Sequence, residues 1–408
     1  MKIAERMSRL GTETAFEVLA KAKALEAEGR DIIHLQIGEP DFDTPSNIVD
    51  AGAQALKDGY THYGPSAGTP DLRAVIANEV SQTRNIDVGP DNVVVTSGAK
   101  PIMFYSMLAL VDEGDEVLYP NPGFPIYESM INFVGGVPVP IKLLSERDFD
   151  IDVSEVADSI TPKTKLMIVN SPNNPCGSVV EEKTLRDLAK LAIENNLWVL
   201  TDEVYIRLMF EGDFKSIASH EGMLERSIIL DGFSKTYAMT GWRIGYGVMP
   251  EPLVEHFVKL NTNSVSHTAS AIQVAAKEAL EGPQEETYRF RDEFKARRDV
   301  FVNGLNAIPG IRCPMPKGAF YAFPNIQGTG MTSRQFADEL LQEYGVAALA
   351  GQSFGAYGEG CIRFSFANST ENLQRALERI AEFVSKNRLS LIHISEPTRR
   401  TPISYSVF

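Results

Sequence analysis

Short apolar runs, each about the length of a strand and followed by turn residues, recur between residues 92 and 248. They are NVVVTS (92–97), EVLYP (116–120), LMIVN (166–170), LWVLTD (197–202), SIILD (227–231) and IGYGV (244–248). Helix-period stretches lie between them, for example KTLRDLAKLAIENN (183–196). Strands apolar on both faces and alternating with helices predict an α/β fold, a mostly parallel sheet sandwiched by helices. In such sheets functional side chains gather at the carboxyl ends of the strands. Ser97, Asn174, Asp202 and Lys235 all fall at or just after the ends of these runs, so the pattern itself nominates them.

Beyond Gly282-Pro283 the rhythm changes. A long polar helix, EETYRFRDEFKARRDVFVNGLNAI (285–308), leads to a hairpin-like strand in CPMPKGAFYAFPNI (313–326). A helix in TSRQFADELLQEY (332–344) and two more strands, in GVAALAG (345–351) and CIRFSFA (361–367), follow. A chain of 408 residues exceeds what one hydrophobic core usually serves, so two domains are expected. The opening segment, MKIAERMSRLGTETAFEVLAKAKALEAEGR (1–30), carries charges throughout and is expected to be an amphipathic helix rather than a signal peptide. No run reaches the roughly 20 apolar residues that a membrane span requires.

Composition narrows the function classes. A net charge of −15 argues against nucleic acid or an anionic membrane as partner, since both select concentrated Lys and Arg. Cys176, Cys313 and Cys361 are odd in number and lack C-x-x-C spacing. That argues against a disulfide framework or zinc site, predicts no metal, and suits a reducing cytoplasm. From Leu389 the tail LSLIHISEPTRRTPISYSVF (389–408) loses the helical period of LQRALERIAEFV (373–384). Its start, LSLIHISEPTR, resembles a translated transposon adaptor from sequencing libraries, so the tail is expected to be non-native read-through.

The densest chemistry lies in DGFSKTYAMTGWRIGYGV (231–248). Lys235 follows one apolar run and precedes a Gly/Thr-rich turn, with Arg243 beyond it. A lysine at a strand end can form an imine with an aldehyde if its surroundings lower its pKa. An arginine beside it offers a fork suited to phosphate. Ser97-Gly98-Ala99-Lys100 opens a helix after a strand, and small residues there expose backbone N–H groups where an anion binds readily.

This stretch resembles the Schiff-base lysine segment of class I aminotransferases, pyridoxal-phosphate (PLP) enzymes of fold type I. The resemblance runs from about Ile33 to Val384, with several separated motifs in the family's order. It implies a large domain with a seven-stranded sheet over residues 45–284 and a smaller α/β domain over 285–388. Residues 1–44 would form an arm that completes the small domain. It also implies that Lys235 carries the cofactor and relays a proton as base and acid, while Asp202 pairs with the protonated pyridine nitrogen. Tyr205 and Asn174 (in SPNNPCG, 171–177) would donate to the 3′-oxygen, and Phe124 would stack on the ring. Ser97, Gly98, Ala99, Ser234 and Arg243 would hold the phosphate, joined by Tyr63 from the neighbouring subunit of a homodimer with shared active sites. Arg363 and the backbone N–H of Gly38 would bind the substrate's α-carboxylate, Arg363 in a planar, orienting fork. The chain departs from the family at Cys176, usually threonine, and at Gly232, often a serine that contacts phosphate.

The implied activity is amino-group transfer between an L-amino acid and a 2-oxo acid. One aspartate aminotransferase branch binds the distal carboxylate with an arginine of the neighbouring subunit, and residues 250–288 contain no arginine, whereas Lys100 matches a bacterial branch. The substrates are therefore expected to be aspartate or glutamate with 2-oxoglutarate or oxaloacetate. Aromatic or other neutral donors, or a carbon–sulfur β-lyase reaction on the same scaffold, remain open. GQSFG (351–355) fits a serine-hydrolase elbow formally, but Gly358 and Gly360 preclude the helix that the elbow needs. Plainer roles also exist: Asp202 as a helix cap, N-N-P-C-G as a turn, Phe124 as core, Arg363 on an edge strand, and Lys100 at a helix start.

Overall fold

The apolar runs are strands of one sheet. The computed structural model describes the backbone of residues 2–395 and side chains through residue 387. In chain order the strands are β1 (Ile33–His34), β2 (Val93–Thr96), β3 (Glu116–Asn121), β4 (Val137–Lys142), β5 (Thr164–Asn170), β6 (Trp198–Asp202), β7 (Ser227–Gly232) and β8 (Gly245–Val248). They continue with β9 (Tyr321–Ala322), β10 (Val346–Ala347), β11 (Leu349–Ala350) and β12 (Ile362–Ser365).

Seven strands pair in the order β2-β8-β7-β6-β5-β3-β4. Only β8 runs antiparallel to its neighbours, β2 and β7; the remaining pairs are parallel. The alternation of side chains sends successive residues to opposite faces. In β5, Leu166 and Ile168 join a core with Ile102, Met103 and Phe257. Met167 and Val169 face the other way, onto Leu185, Leu188 and Ala192 of the helix Glu182–Glu194. Strand β4 escaped the apolar pattern because it reads VPVPIK. Its two prolines are tolerated because β4 is at the sheet edge, where ladder donors are dispensable.

A second core is built largely from aromatic side chains. Phe294 and Phe301 of the helix Glu285–Asn306 meet Phe320, Phe336, Phe364, Phe366 and Phe383 in one buried cluster. GVAALAG, expected as one strand, divides. β10 pairs in parallel with β1, while β11 pairs antiparallel with β12, which also pairs with β9. Through β1, the start of the chain joins this second core, and Ile33 and Leu35 are part of it.

The amphipathic helix expected over residues 1–30 is a correction. A short 3₁₀ turn spans Glu5–Arg9 and the α-helix starts only at Thr14. Gly11 and Glu13 lie in the break: the Gly11 N–H donates to Ser129 Oγ (2.8 Å), and Glu13 turns inward to pair with Lys100. The last helix, Thr370–Ser395, passes Leu389, because helical backbone requires only its own i→i−4 bonds and not an apolar stripe. The rest of the tail, 396–408, lies outside the described residues. Among the described residues no helix is long and apolar enough to cross a membrane.

Candidate active site

The parallel strands end on a common cavity of about 530 Å³. Ala99, Lys100, Phe124, Asn174, Asp202, Tyr205, Ser234, Lys235 and Arg243 line it from the ends of the large sheet's strands and the loops and helices that follow them, joined by Gly38 after β1 and Arg363 on β12. Ser97, Gly98 and Tyr63 are not on its wall. Tyr63 is 90% exposed, with its ring edge against His267.

Lys235 sits on the turn after β7, and its Nζ donates to the carbonyl of Gly38 (2.6 Å). Burial lowers its pKa to about 8, which leaves an appreciable neutral fraction at physiological pH. The Gly38 carbonyl is thus taken by Lys235, and its N–H is the group expected to serve a substrate. No side chain fits at that position, because a Cβ would collide with Tyr321 Oη.

Asp202 ends β6 and is 5% exposed. Tyr127 Oη donates to its Oδ2 (2.5 Å) and the Val204 N–H approaches Oδ1 (3.4 Å). Burial pushes its pKa up to about 6, the Tyr127 bond offsetting part of the cost. The carboxylate has no ion-pair partner among the described residues, so a cation delivered into the cavity would be stabilised there.

Arg363, on β12, is 4% exposed. Its Nη2 donates to the Gln36 carbonyl (2.6 Å) and its Nη1 to Asn174 Oδ1 (3.1 Å). Nε has no hydrogen-bond partner, and the guanidinium lies against the rings of Tyr321 (4.5 Å) and Phe354 (4.9 Å). Burial lowers its pKa. A buried guanidinium with a vacant donor and no carboxylate is a place for an anionic ligand.

The helix Lys100–Leu110 starts directly behind the Ser97-Gly98-Ala99 turn. Gly98 has φ +91°, and a Cβ there would collide with the Arg243 guanidinium, so the glycine lets that arginine reach the helix N-terminus. Arg243 itself is left-handed (φ +56°), and its Nη1 donates to the Thr240 carbonyl (2.7 Å). Gly232 lies opposite Gly245 across β7 and β8, and a Cβ at 232 would stand 3.2 Å from the Gly245 Cα. The departure from serine at this position thus coincides with close strand packing. Lys100 Nζ is ion-paired with Glu13 and lies 5.4 Å from the Phe124 ring centre.

Tyr127, Tyr321, Glu13 and Asn170 also line the cavity, and the local sequence pattern nominated none of them. Tyr127 is in the same NPGFPIY turn as Phe124, but its partner is 75 positions away. Glu203, beside Asp202, has a partner outside the cavity: Arg84, which bridges Glu203 and Asp231.

These residues fit PLP: an amine of lowered basicity, a buried carboxylate without a cation, and an arginine drawn to a helix N-terminus. Residues 30–380 match the family of class I and II aminotransferases. The chain is 39% identical over 389 residues to an aspartate aminotransferase from Bacillus sp. (strain YM-2), covering 94% of this chain and 99% of that one. The fold matches aspartate aminotransferase from Thermus thermophilus solved with maleate (TM-score 0.90, 36% identity, 94% and 99% coverage). It also matches an aromatic aminotransferase from Pyrococcus horikoshii OT3 (TM-score 0.86, 38% identity, 91% and 100% coverage).

Proposed function

Because the chain belongs to the class I and II aminotransferases and is a PLP-dependent transaminase, we propose that aspartate or glutamate is its amino donor and 2-oxoglutarate or oxaloacetate its acceptor. The observation that carries the site assignment is the unsatisfied, buried Arg363 guanidinium on the same cavity as the Lys235 amine. Relatives and solved neighbours described as aspartate aminotransferases support the donor, as does Lys100 on the cavity wall.

When bound, PLP supplies an electron sink that lets the Cα–H bond of an amino acid ionise. Lys235 is the side chain that carries it. Asp202, kept dry and hydrogen-bonded by Tyr127, would hold a positive charge at the ring nitrogen. Tyr205 and Asn174 would serve the cofactor's 3′-oxygen, Phe124 would cover its ring, and Ala99, Ser234 and Arg243, with the Ser97-Gly98 turn behind them, would hold its phosphate at the helix N-terminus. Arg363 grips the α-carboxylate with its fork and so orients Cα toward Lys235. Lys235 Nζ then accepts and returns the Cα proton as general base and acid, a task suited to a pKa of about 8. Lys100 attracts the distal carboxylate, which competes with Glu13 for the ammonium.

The exposed Tyr63 supports a homodimer in which this tyrosine reaches the partner's phosphate site. Three buried free thiols suit a cytoplasmic setting. The chain divides into an arm (1–44), a cofactor-binding domain (45–284) and a small domain (285–388), a partition supported by the aromatic cluster around the helix Glu285–Asn306 and the cluster packed on the large sheet. Borohydride reduction of the PLP-loaded protein should trap the cofactor on the Lys235 peptide, and Lys235→Ala should lose both adduct and visible absorbance while keeping its circular dichroism. An adduct persisting in that variant would overturn the assignment. A panel of amino donors with 2-oxoglutarate tests the substrate: aspartate should lead, and a neutral donor leading would refute the role given to Lys100.

A further inference from the structure

Tyr321 belongs to none of the roles above, yet it touches two of them. Its Oη lies 2.8 Å from Tyr205 Oη, with the two rings edge to face at 5.8 Å. Its ring face lies 4.5 Å from the centre of the Arg363 guanidinium. It is 1% exposed, on β9 beside β12.

The two phenols have two protons, and only one can lie between them. Tyr321 Oη is pressed against Gly38, where even a Cβ would collide with it, and its partner among the described residues is Tyr205. Tyr205 borders the cavity, whereas the Tyr321 hydroxyl has Tyr205 as its hydrogen-bond partner and the Arg363 guanidinium over its ring, a cation that makes the phenol a stronger donor. Tyr321 is therefore the donor and Tyr205 the acceptor. That arrangement leaves the Tyr205 proton for the cavity, and a hydroxyl that accepts one bond donates the next more strongly.

We infer that Tyr321 is a positioning residue that links the carboxylate clamp to the cofactor's 3′-oxygen, its hydroxyl polarising Tyr205 and its ring seating Arg363. The inference rests on the reading of Lys235 and Tyr205 above. The charged groups around the pair are Arg363 on β12, Lys235 after β7, whose Nζ lies 5.9 Å from the neighbouring Phe320 ring, Asp202 at the end of β6, and Glu13 before the first α-helix.

The test compares wild type, Tyr205→Phe, Tyr321→Phe and the double variant, each loaded with PLP. The pH midpoint of the bound cofactor's visible absorbance is the readout, with succinate binding measured separately. Donation to the 3′-oxygen stabilises its anionic form, so weaker donation favours the protonated cofactor and raises the midpoint. Tyr205→Phe should move it up, and Tyr321→Phe should move it up by roughly a fifth as much, the cooperative share of one bond. Tyr321→Phe should add nothing in the Tyr205→Phe background. Succinate affinity should hold in Tyr321→Phe, which keeps the ring, and fall roughly five-fold in Tyr321→Leu, which loses the cation–π contact. An unmoved midpoint in Tyr321→Phe, a fully additive double variant, or equal succinate loss in both Tyr321 variants overturns the inference. A wild type with no titrating band overturns the Lys235 assignment itself, so the two failures are distinct.

Discussion

Arg84 and Arg363 are both buried, at 3% and 4% exposure, and they live in opposite circumstances. Arg84 is saturated by its own chain. Its Nε donates to Glu203 (2.9 Å), Nη1 to Thr83 (2.7 Å), and Nη2 is ion-paired with Asp231. Those carboxylates are held in turn: Glu203 by Thr201 and Ser216, Asp231 by Tyr246 and the Gly232 N–H. The Arg84 pKa is raised, the pull of Asp231 overcoming burial. Arg363 has a carbonyl, an amide oxygen, two aromatic faces and a vacant Nε, and its pKa is lowered by burial. Burial alone therefore does not mark a functional arginine. An incomplete set of partners does, because desolvation is then left for a ligand to offset.

Substitutions can break this contrast. The largest effect is expected at Arg84→Met, which strands two buried carboxylates. It should cost about 3–5 kcal/mol of folding stability in urea denaturation. A loss below 1 kcal/mol would show that the network is not the brace described.

Asp202 is the open site's counterpart in negative charge, and the sign of its effect is opposite. Its folded pKa of about 6 exceeds the ordinary 3.8, so the folded protein holds that proton more tightly and loses stability as pH rises through this window. Asp202→Asn should stabilise the cofactor-free protein at pH 8 by up to about 3 kcal/mol, and the gain should shrink as pH falls below 6. It should also weaken PLP binding. A destabilised variant at pH 8 would mean that the carboxylate is not strained by its setting.

Arg363→Lys sharpens the comparison with the smallest change in free energy. Keeping the charge but losing the fork should weaken amino-acid binding about 30-fold or more in single-turnover kinetics. Folding stability should barely move. Unchanged half-reactions would remove Arg363 from the clamp.

Part of the cavity lining was legible in the sequence because several nominated residues sit where a strand pattern ends. Asp202 closes LWVLTD, Lys235 follows SIILD, and Asn174 follows LMIVN. Local pattern fails where function depends on a residue distant in sequence. Tyr127 reaches Asp202 across 75 positions, Tyr321 reaches Tyr205 across 116, and Arg84 reaches Asp231 across 147. Glu203 was visible beside Asp202 but had no evident task, since its partner Arg84 lies 119 positions away at the end of the helix Pro70–Arg84. Strand β4 was hidden by its prolines, and the break before Thr14 by the strong helical composition of the N-terminal segment.

What the sequence determined by itself was the order of strands and helices, the turns that close them, and the residue types presented at their ends. Those follow from short-range periodicity and backbone preference, which neighbouring residues carry among themselves. Only the tertiary structure decided which buried charges are matched and which are left waiting. Electrostatic compensation acts through space at a few ångströms, and in this chain it joins segments more than a hundred residues apart.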